Sequence, residues 1–294
     1  MSGIVVGVND SAEASEALDW AVAEARARSL PLTVVQVAPE RDGAALAPVL
    51  GERRAALAEL VTDAEQRLGP LDLDQVVVPG PAAEALLRVS VGAEMLVLGR
   101  RRRARLGRRV LGSVSTTVVE NAGVPVTVVR RAHDGTGEAP SDDVGTPDGL
   151  PADRPRIVVG VDTSPHSVAA LRHAAQVAAG TGAVLEPVFA WQITTLAPLP
   201  GSWGWAPPID DYESFARERL DAAVEEAGTG LGPDRVFAHV VHGQAARVLI
   251  TRAVGADRLV VGTRGLGGFD RLVLGSTSRQ VLDHAGCPVT VVRA

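Results

Sequence analysis

Aromatic residues make up only 3% of this 294-residue chain, and it contains a single cysteine. With so few rings, the cores must be built from Val, Leu, Ala and Ile, which suits buried parallel strands flanked by helices. The lone Cys287 excludes an internal disulfide and points to a reducing compartment. Placed before Pro288 and the last apolar run, it reads as a small buried hydrophobe. Positive charge is also in short supply. A formal net charge of −6 gives no general attraction to nucleic acid or to an anionic membrane. No apolar run approaches the length needed to span a bilayer. The N-terminus enters a strand pattern directly, with no charged region followed by an export-type apolar stretch. These absences predict a soluble cytoplasmic protein with no membrane contact. The hydrophobic content of 46% is ample for packed cores, and 294 residues suit two domains.

What is present is one unit written twice. Ile4-Val-Val-Gly-Val-Asn9-Asp-Ser11 returns as Ile157-Val-Val-Gly-Val-Asp162-Thr-Ser164, and Leu96-Val-Leu-Gly99 as Leu259-Val-Val-Gly262. Val110-Leu-Gly-Ser113 returns as Val273-Leu-Gly-Ser276, and Val124-Pro-Val-Thr-Val-Val-Arg130 as Cys287-Pro-Val-Thr-Val-Val-Arg293. Four matched blocks in one order make a tandem duplication. Between the copies, residues 132–154 are rich in Gly, Pro, Ser and Asp without apolar periodicity, so they read as a flexible linker. The domains are therefore 1–131 and 155–294.

In the first copy, strands are expected at Ile4–Val8, Pro31–Val37, Asp74–Val78, Met95–Leu98 and Val126–Val129. Helices are expected at Ala12–Arg28, Gly51–Leu68, Pro81–Gly92 and Ser113–Asn121, the first with Ala14, Leu18, Ala21, Val22 and Ala25 at helical spacing. Strands of the second copy fall at Ile157–Val161, Val184–Ala190, Val236–Val240, Leu259–Val261 and Val289–Val292. The alternation implies α/β architecture, with two tandem Rossmann-like domains. Each has a five-stranded parallel sheet, right-handed crossovers and helices on both faces. Ligands of such sheets bind beyond the carboxyl ends of the strands where strand order reverses, which places the crevice between strands one and four. A longer connection in the second copy, Gln192 to Pro208, carries Trp203 and Trp205. It reads as a surface excursion packed by its own rings, ahead of a lid over a ligand.

The stretch Gly262 to Ser278 joins the strand Leu259–Val261 to a helix opening at Ser276. Its glycines, Gly262, Gly265 and Gly275, let the chain turn tightly and let a ligand approach bare backbone. Gly275 with the hydroxyls of Ser276 and Ser278 lies at a helix mouth, where unpaired amides and partial positive charge favour phosphate. The hydroxyls also read as cap chemistry for that helix. Taken alone, such glycines also suit an ordinary turn, and Asp162 alone suits a solvent-facing turn or a cap.

The spacing of Gly, two residues, Gly, nine residues, Gly-Ser resembles the ATP-binding signature of the universal stress protein family, and both copies resemble its domains across nearly the whole chain outside the linker. The resemblance implies a nucleotide-binding α/β fold. It implies an acidic residue ending strand one at Asp162, a backbone contact ending strand two at Ala190, and the glycine loop at Gly262, Gly265, Gly275 and Ser276. The candidate nucleotide-binding residues are Gly160, Val161, Asp162, Thr163, Ala190, Gly262, Thr263, Arg264, Gly265, Gly275, Ser276, Thr277 and Ser278. Asp162 can accept hydrogen bonds from a nucleoside, and Ser276 and Ser278 can donate to phosphate oxygens. The implied ligand is ATP, or ADP or AMP, with Mg²⁺ as a companion of ATP that Asp162 could help to hold.

The first copy departs from the pattern. Its weaker counterparts are Val8, Asn9, Val37, Gly99, Arg102, Gly112 and Ser113. Asn9 replaces the acid, although Asp10 is adjacent, and Arg102 stands where the second glycine should be, within an arginine-rich run from Gly99 to Arg109. That run reads as a solvated loop, as a reshaped anion site, or as a contact for nucleic acid. It has no aromatics and no broad basic face, so nucleic acid ranks low.

A regulatory ATP-binding protein leads, with a competent second copy, a stress-response role and a pseudo-dimer formed through the last strand of each unit. Homodimerisation of the whole chain stays open. Slow ATP hydrolysis comes second, since no Gly-Lys-Ser follows a glycine loop and no Ser-Gly-Gly loop opens the first turn. A protein-interaction scaffold comes third. The histidines offer no nucleophile or metal set: His133, His166, His173 and His284 are scattered, and His239 and His242 straddle a strand end.

Overall fold

The computed structural model describes residues 3–40, 46–70, 72–100, 111–130, 149–151, 153–192, 209–265 and 274–294, with the side chains of 209 and 210 set aside. Three sequence expectations lie outside the described residues: most of the linker, the Trp203–Trp205 connection and the arginine run with Arg102. The chain divides into two units, residues 1–134 with 288–291 and residues 135–287 with 292–294.

The first unit runs β1 (Ile4–Val8), α1 (Ala12–Arg28), β2 (Leu32–Ala38), α2 (Leu46–Leu68), β3 (Leu73–Pro79), α3 (Ala82–Val89), β4 (Met95–Gly99), α4 (Ser113–Asn121) and β5 (Val126–Val129). Its strands lie in the order β3-β2-β1-β4-β5, all parallel. The chain's last strand (Val289–Val292) pairs antiparallel with β5, Val289 opposite Val128 and Val291 opposite Val126. Between these pairs the buried hydroxyls of Thr127 and Thr290 meet at 2.8 Å.

Strand alternation sends successive side chains to opposite faces. Ile4, Val6 and Val8 pack with Ala14, Leu18 and Val22 of α1 and with Leu57 and Val61 of α2. Gly7 turns the other way, where an added Cβ would lie 2.8 Å from a Leu86 methyl of α3. Both faces of the sheet are thus covered by helices.

The second unit repeats the plan with β6 (Arg156–Val161), α5 (Pro165–Thr181), β7 (Val184–Trp191), α6 (Ile209–Ala227), β8 (His239–His242), α7 (Ala245–Arg252), β9 (Arg258–Gly262) and α8 (Ser276–His284), ahead of β10, the last strand already described. β6 lies between β9 and β7, and β8 takes the edge, all parallel. Ile157, Val159 and Val161 pack on α5 and α6 through Leu171, Ala174 and Leu220. Gly160 faces α7, where an added Cβ would lie 2.7 Å from a Leu249 methyl. In both units the order reverses between the first and fourth strands, as the alternation predicts.

Some boundaries differ from expectation, for physical reasons. α2 begins at Leu46 rather than Gly51. Pro48 sits in its first turn, where the missing N–H has no intrahelical partner to lose. The strand expected at Val236–Val240 begins instead at His239. Pro233–Arg235 forms a 3₁₀ turn, tied down by the Arg235 guanidinium donating to Ala183 O at 2.6 Å. Val236 makes only an isolated bridge to Leu185. Both His239 and His242 therefore lie in β8 rather than straddling its end. Their odd spacing puts them on opposite faces, so they form no chelating pair. Cys287 is buried, and burial pushes its thiol up to about 12. Among the described residues no helix is long and apolar enough to cross a membrane.

Candidate functional site

The second unit's cavity opens at the carboxyl ends of β6 and β9. Its volume is about 270 Å³. Gly160, Val161, Asp162, Ala190, Gly262, Arg264, Gly265, Gly275, Ser276, Thr277 and Ser278 line it, so most of the residues chosen from sequence converge on one space. Thr163 and Thr263 do not line it. Thr163 occupies the left-handed region at φ 66°, uncommon for a threonine. The Thr263 hydroxyl lies 3.4 Å from His166 Nδ1.

Asp162 is held in place by the turn that follows it. Its Oδ1 accepts from Ser164 N at 3.0 Å and from Ser164 Oγ at 2.6 Å. Ser164 in turn caps α5, accepting from Ser167 N at 3.2 Å, and Pro165 begins the helix where no N–H is needed. Asp162 Oδ2 lies against Gly265, in the space a Cβ would fill. The carboxylate and the glycine loop are thus fitted to each other, which only glycine permits.

The other end of the cavity is the start of α8. Its cap is Gly275, with no side-chain cap bond, in contrast to the hydroxyl cap expected there. The Gly275 amide donates to Thr263 O at 2.7 Å. The buried Ser278 hydroxyl donates to Gly262 O at 2.6 Å, so its one proton ties the helix to the strand end. Ser276 is exposed and Thr277 half-buried. Helix-start amides facing a cavity beside the Arg264 side chain form a natural anion seat.

Sequence reading missed Ser167, Val188, Ala245, Leu249 and Val261 among the walls. The signal for Leu249 was Gly160, whose missing side chain makes room for it. His166 was read as scattered, yet its backbone packs on Gly262, 2.8 Å from where a Cβ would stand. Its Nδ1 accepts from Ala294 N at 3.0 Å, which requires a neutral ring. Burial lowers its pKa first, and Arg264 and Arg293 lower it further against the opposing pull of Asp162.

The first unit holds a corresponding cavity of about 230 Å³. Val8, Asn9, Val37, Gly99, Gly112 and Ser113 all line it, as chosen from sequence; Arg102 lies outside the described residues. Asp10 does not take the place of the missing acid. Its carboxylate turns aside to Gln36 Nε2 at 2.9 Å and to the Arg53 guanidinium.

Comparison with known proteins accords with this geometry. The model of the universal stress protein family matches residues 1–130 and 154–293. A universal stress protein of Mycobacterium tuberculosis is 34% identical over 304 residues, covering 99% of this chain and 97% of the relative. A second from the same organism is 33% identical over 303 residues, covering 99% and 96%. Among solved structures, a universal stress protein from Archaeoglobus fulgidus superposes with a TM-score of 0.68 at 18% identity, covering 99% of this chain and 98% of the other. That last likeness concerns the fold. The chain belongs to the universal stress protein family and carries its domain twice.

Proposed function

We propose that this protein is a regulatory binder of an adenine nucleotide, ATP or its ADP and AMP relatives, and that the second unit is its working site. The observation carrying the reading is the meeting, in one cavity, of Asp162, the close-fitting Gly265 and the amides at the start of α8. The acid accepts from the nucleoside, and the helix start and Arg264 hold the phosphates. On this reading the chain divides at a linker over 132–154 into a weak domain, 1–131, and a competent one, 155–294. Among the described residues no group of three or more His, Cys, Asp or Glu could hold a metal ion. Mg²⁺ would arrive with the triphosphate, and Asp162 could help to hold it. Supplying both halves of a pair in one chain favours an intramolecular pseudo-dimer, and the family suggests a stress-response role in the cytoplasm.

The test is calorimetry of ATP–Mg²⁺ with the intact chain and with Gly265→Arg, which copies the first unit's departure into the second. One nucleotide per chain, lost in the variant, is expected. Absence of binding by the intact chain, or normal binding by Gly265→Arg, overturns the reading.

A further inference from the structure

We propose that His166 is a positioning residue of the second unit's cavity, and that it links an anion bound there to residues 293–294 through one proton. The inference rests on the reading of that cavity as an anion seat. Its first ground is the set of contacts around Thr263, the residue that follows β9. The buried Thr263 N–H donates to Val292 O at 2.8 Å, and the Thr263 carbonyl accepts from Gly275 N at 2.7 Å. Thr263 is thus tied on one side to the end of β10 and on the other to the residue that caps α8. Its hydroxyl lies 3.4 Å from His166 Nδ1, and the same nitrogen accepts from Ala294 N at 3.0 Å.

Nδ1 has a lone pair to give only while it carries no proton. A proton there would face the Ala294 N–H and remove its acceptor, so the charged ring cannot keep this bond. The outer hold on residues 293–294 is then lost. The bond between Thr263 N and Val292 O, which involves no titrating group, stays. The charged groups acting on His166 are Arg264 after β9, Arg293 after β10 and Asp162 after β6. Burial and both arginines favour the neutral ring, and Asp162 opposes them.

Arg264 is the connection to the ligand. It lines the cavity with the first residues of α8, and among the charges it disfavours a proton on His166 the most. A phosphate group paired with Arg264 offsets that charge, so part of the repulsion disappears and the ring's affinity for a proton rises. By reciprocity, a proton on His166 tightens the hold on the anion by the same factor. The sign follows. The anion binds more tightly as pH falls through the range in which His166 titrates, and the bound anion favours release of Ala294. In the first unit Glu13 stands at the corresponding position, its backbone against Gly99 as that of His166 lies against Gly262. No imidazole is present there, so the linkage belongs to the second unit.

The experiment uses the full chain and His166→Asn, without Mg²⁺, so that the anion brings the only new charge. The asparagine oxygen takes the place of Nδ1 as acceptor for Ala294 N but binds no proton, and a thermal melt checks that the variant is folded. NMR follows the His166 ring and the Ala294 amide from pH 8 to pH 5. Each chain is measured alone, with ADP, and with inorganic pyrophosphate, a probe that needs only the anion seat. In the free parent chain the Ala294 resonance should move with the His166 titration, and in His166→Asn it should stay. Either anion should raise the His166 midpoint by about half a pH unit. Calorimetry between the same limits should then show the parent's affinity for ADP gaining about two- to threefold over that of His166→Asn. The titration of the phosphate itself is common to both chains. An Ala294 amide that ignores the His166 titration overturns the proposal, as does a bound anion that leaves the midpoint unmoved or an affinity gain no larger in the parent than in the variant. If ADP does not bind while pyrophosphate binds and raises the midpoint, the nucleotide reading alone falls. Binding of neither overturns both.

Discussion

Replacing Gly265 by alanine isolates one contact. Gly265 does not lie in the left-handed region, so alanine can adopt its backbone without strain and the variant tests the added methyl alone. That methyl would stand on Asp162 Oδ2, well inside van der Waals contact. Asp162 is not free to swing clear, because Ser164 N and Oγ hold its Oδ1 at 3.0 and 2.6 Å. Hydrogen bonds to a charged acceptor are worth about 1.5–3 kcal/mol each. Asp162 is half-buried, so water recovers part of what is lost. A displaced Asp162 gives up its bond to the nucleoside, which at that discount is about 2 kcal/mol, equivalent to about 30-fold in affinity. If the loop moves instead of the acid, Gly265 and the residues beside it leave the ligand, and affinity falls by the other route. Calorimetry with ATP–Mg²⁺ on a variant that a thermal melt shows to be folded measures the effect. Binding within about twofold of the parent chain would refute the coupling of Asp162 to the glycine loop.

The remaining predictions concern what holds the second unit together. Glu186 is fully buried between Arg156 Nη1 at 2.6 Å and Arg252 Nη1 at 3.2 Å. Glu186→Gln leaves two guanidiniums without their counter-charge and should cost about 3–5 kcal/mol, read as a lower urea midpoint. His239 is held neutral, its pKa lowered to about 4 by burial first and then by Arg252 and Arg217. A folded value below the unfolded one near 6.5 means the unfolded chain binds the extra proton. Stability is then full above about pH 6.5 and falls as pH drops towards 4. Because the ring is only half-buried, solvent screening reduces the loss to about 1–2 kcal/mol. Urea titrations between pH 7 and 4 should show that slope in the parent chain and a shallower one in His239→Gln.

Much of the fold was legible because its signals are local. Apolar runs and helical spacing predicted β1, α1, α4, β5 and β10 to the residue. α2 and β8 were misplaced where a single residue misleads. Pro48 looks like a stop but is harmless in a first turn, and Val236 looks like strand but follows a turn anchored by Arg235. The candidate site was legible as a set of residues, since strand ends and a glycine loop leave marks in the chain. Its couplings were not. Asp162 meets Gly265, and Ser278 reaches back to Gly262; neither contact follows from any spacing, because each depends on how two crossovers pack.

The duplication also separates glycines that serve the fold from the one that serves the site. Gly7 and Gly160 each make room for a leucine methyl of the helix beneath, from Leu86 and Leu249. Gly99 and Gly262 each lie against the backbone at the start of the helix crossing them, at Glu13 and at His166. Those constraints are the same in both units, whatever either unit binds, and backbone has no rotamer by which to retreat. Gly265 faces the Asp162 carboxylate instead, and its counterpart in the first copy is Arg102. Substituting Gly262 by alanine should therefore lower the stability of the second unit by the 1–3 kcal/mol typical of overpacking. Gly265→Ala should cost less stability than Gly262→Ala, because the half-buried Asp162 carboxylate recovers hydrogen bonds from water, and should weaken nucleotide binding. Thermal melting and calorimetry on the two variants separate these effects, and a loss of stability in Gly265→Ala equal to that in Gly262→Ala would return Gly265 to the fold.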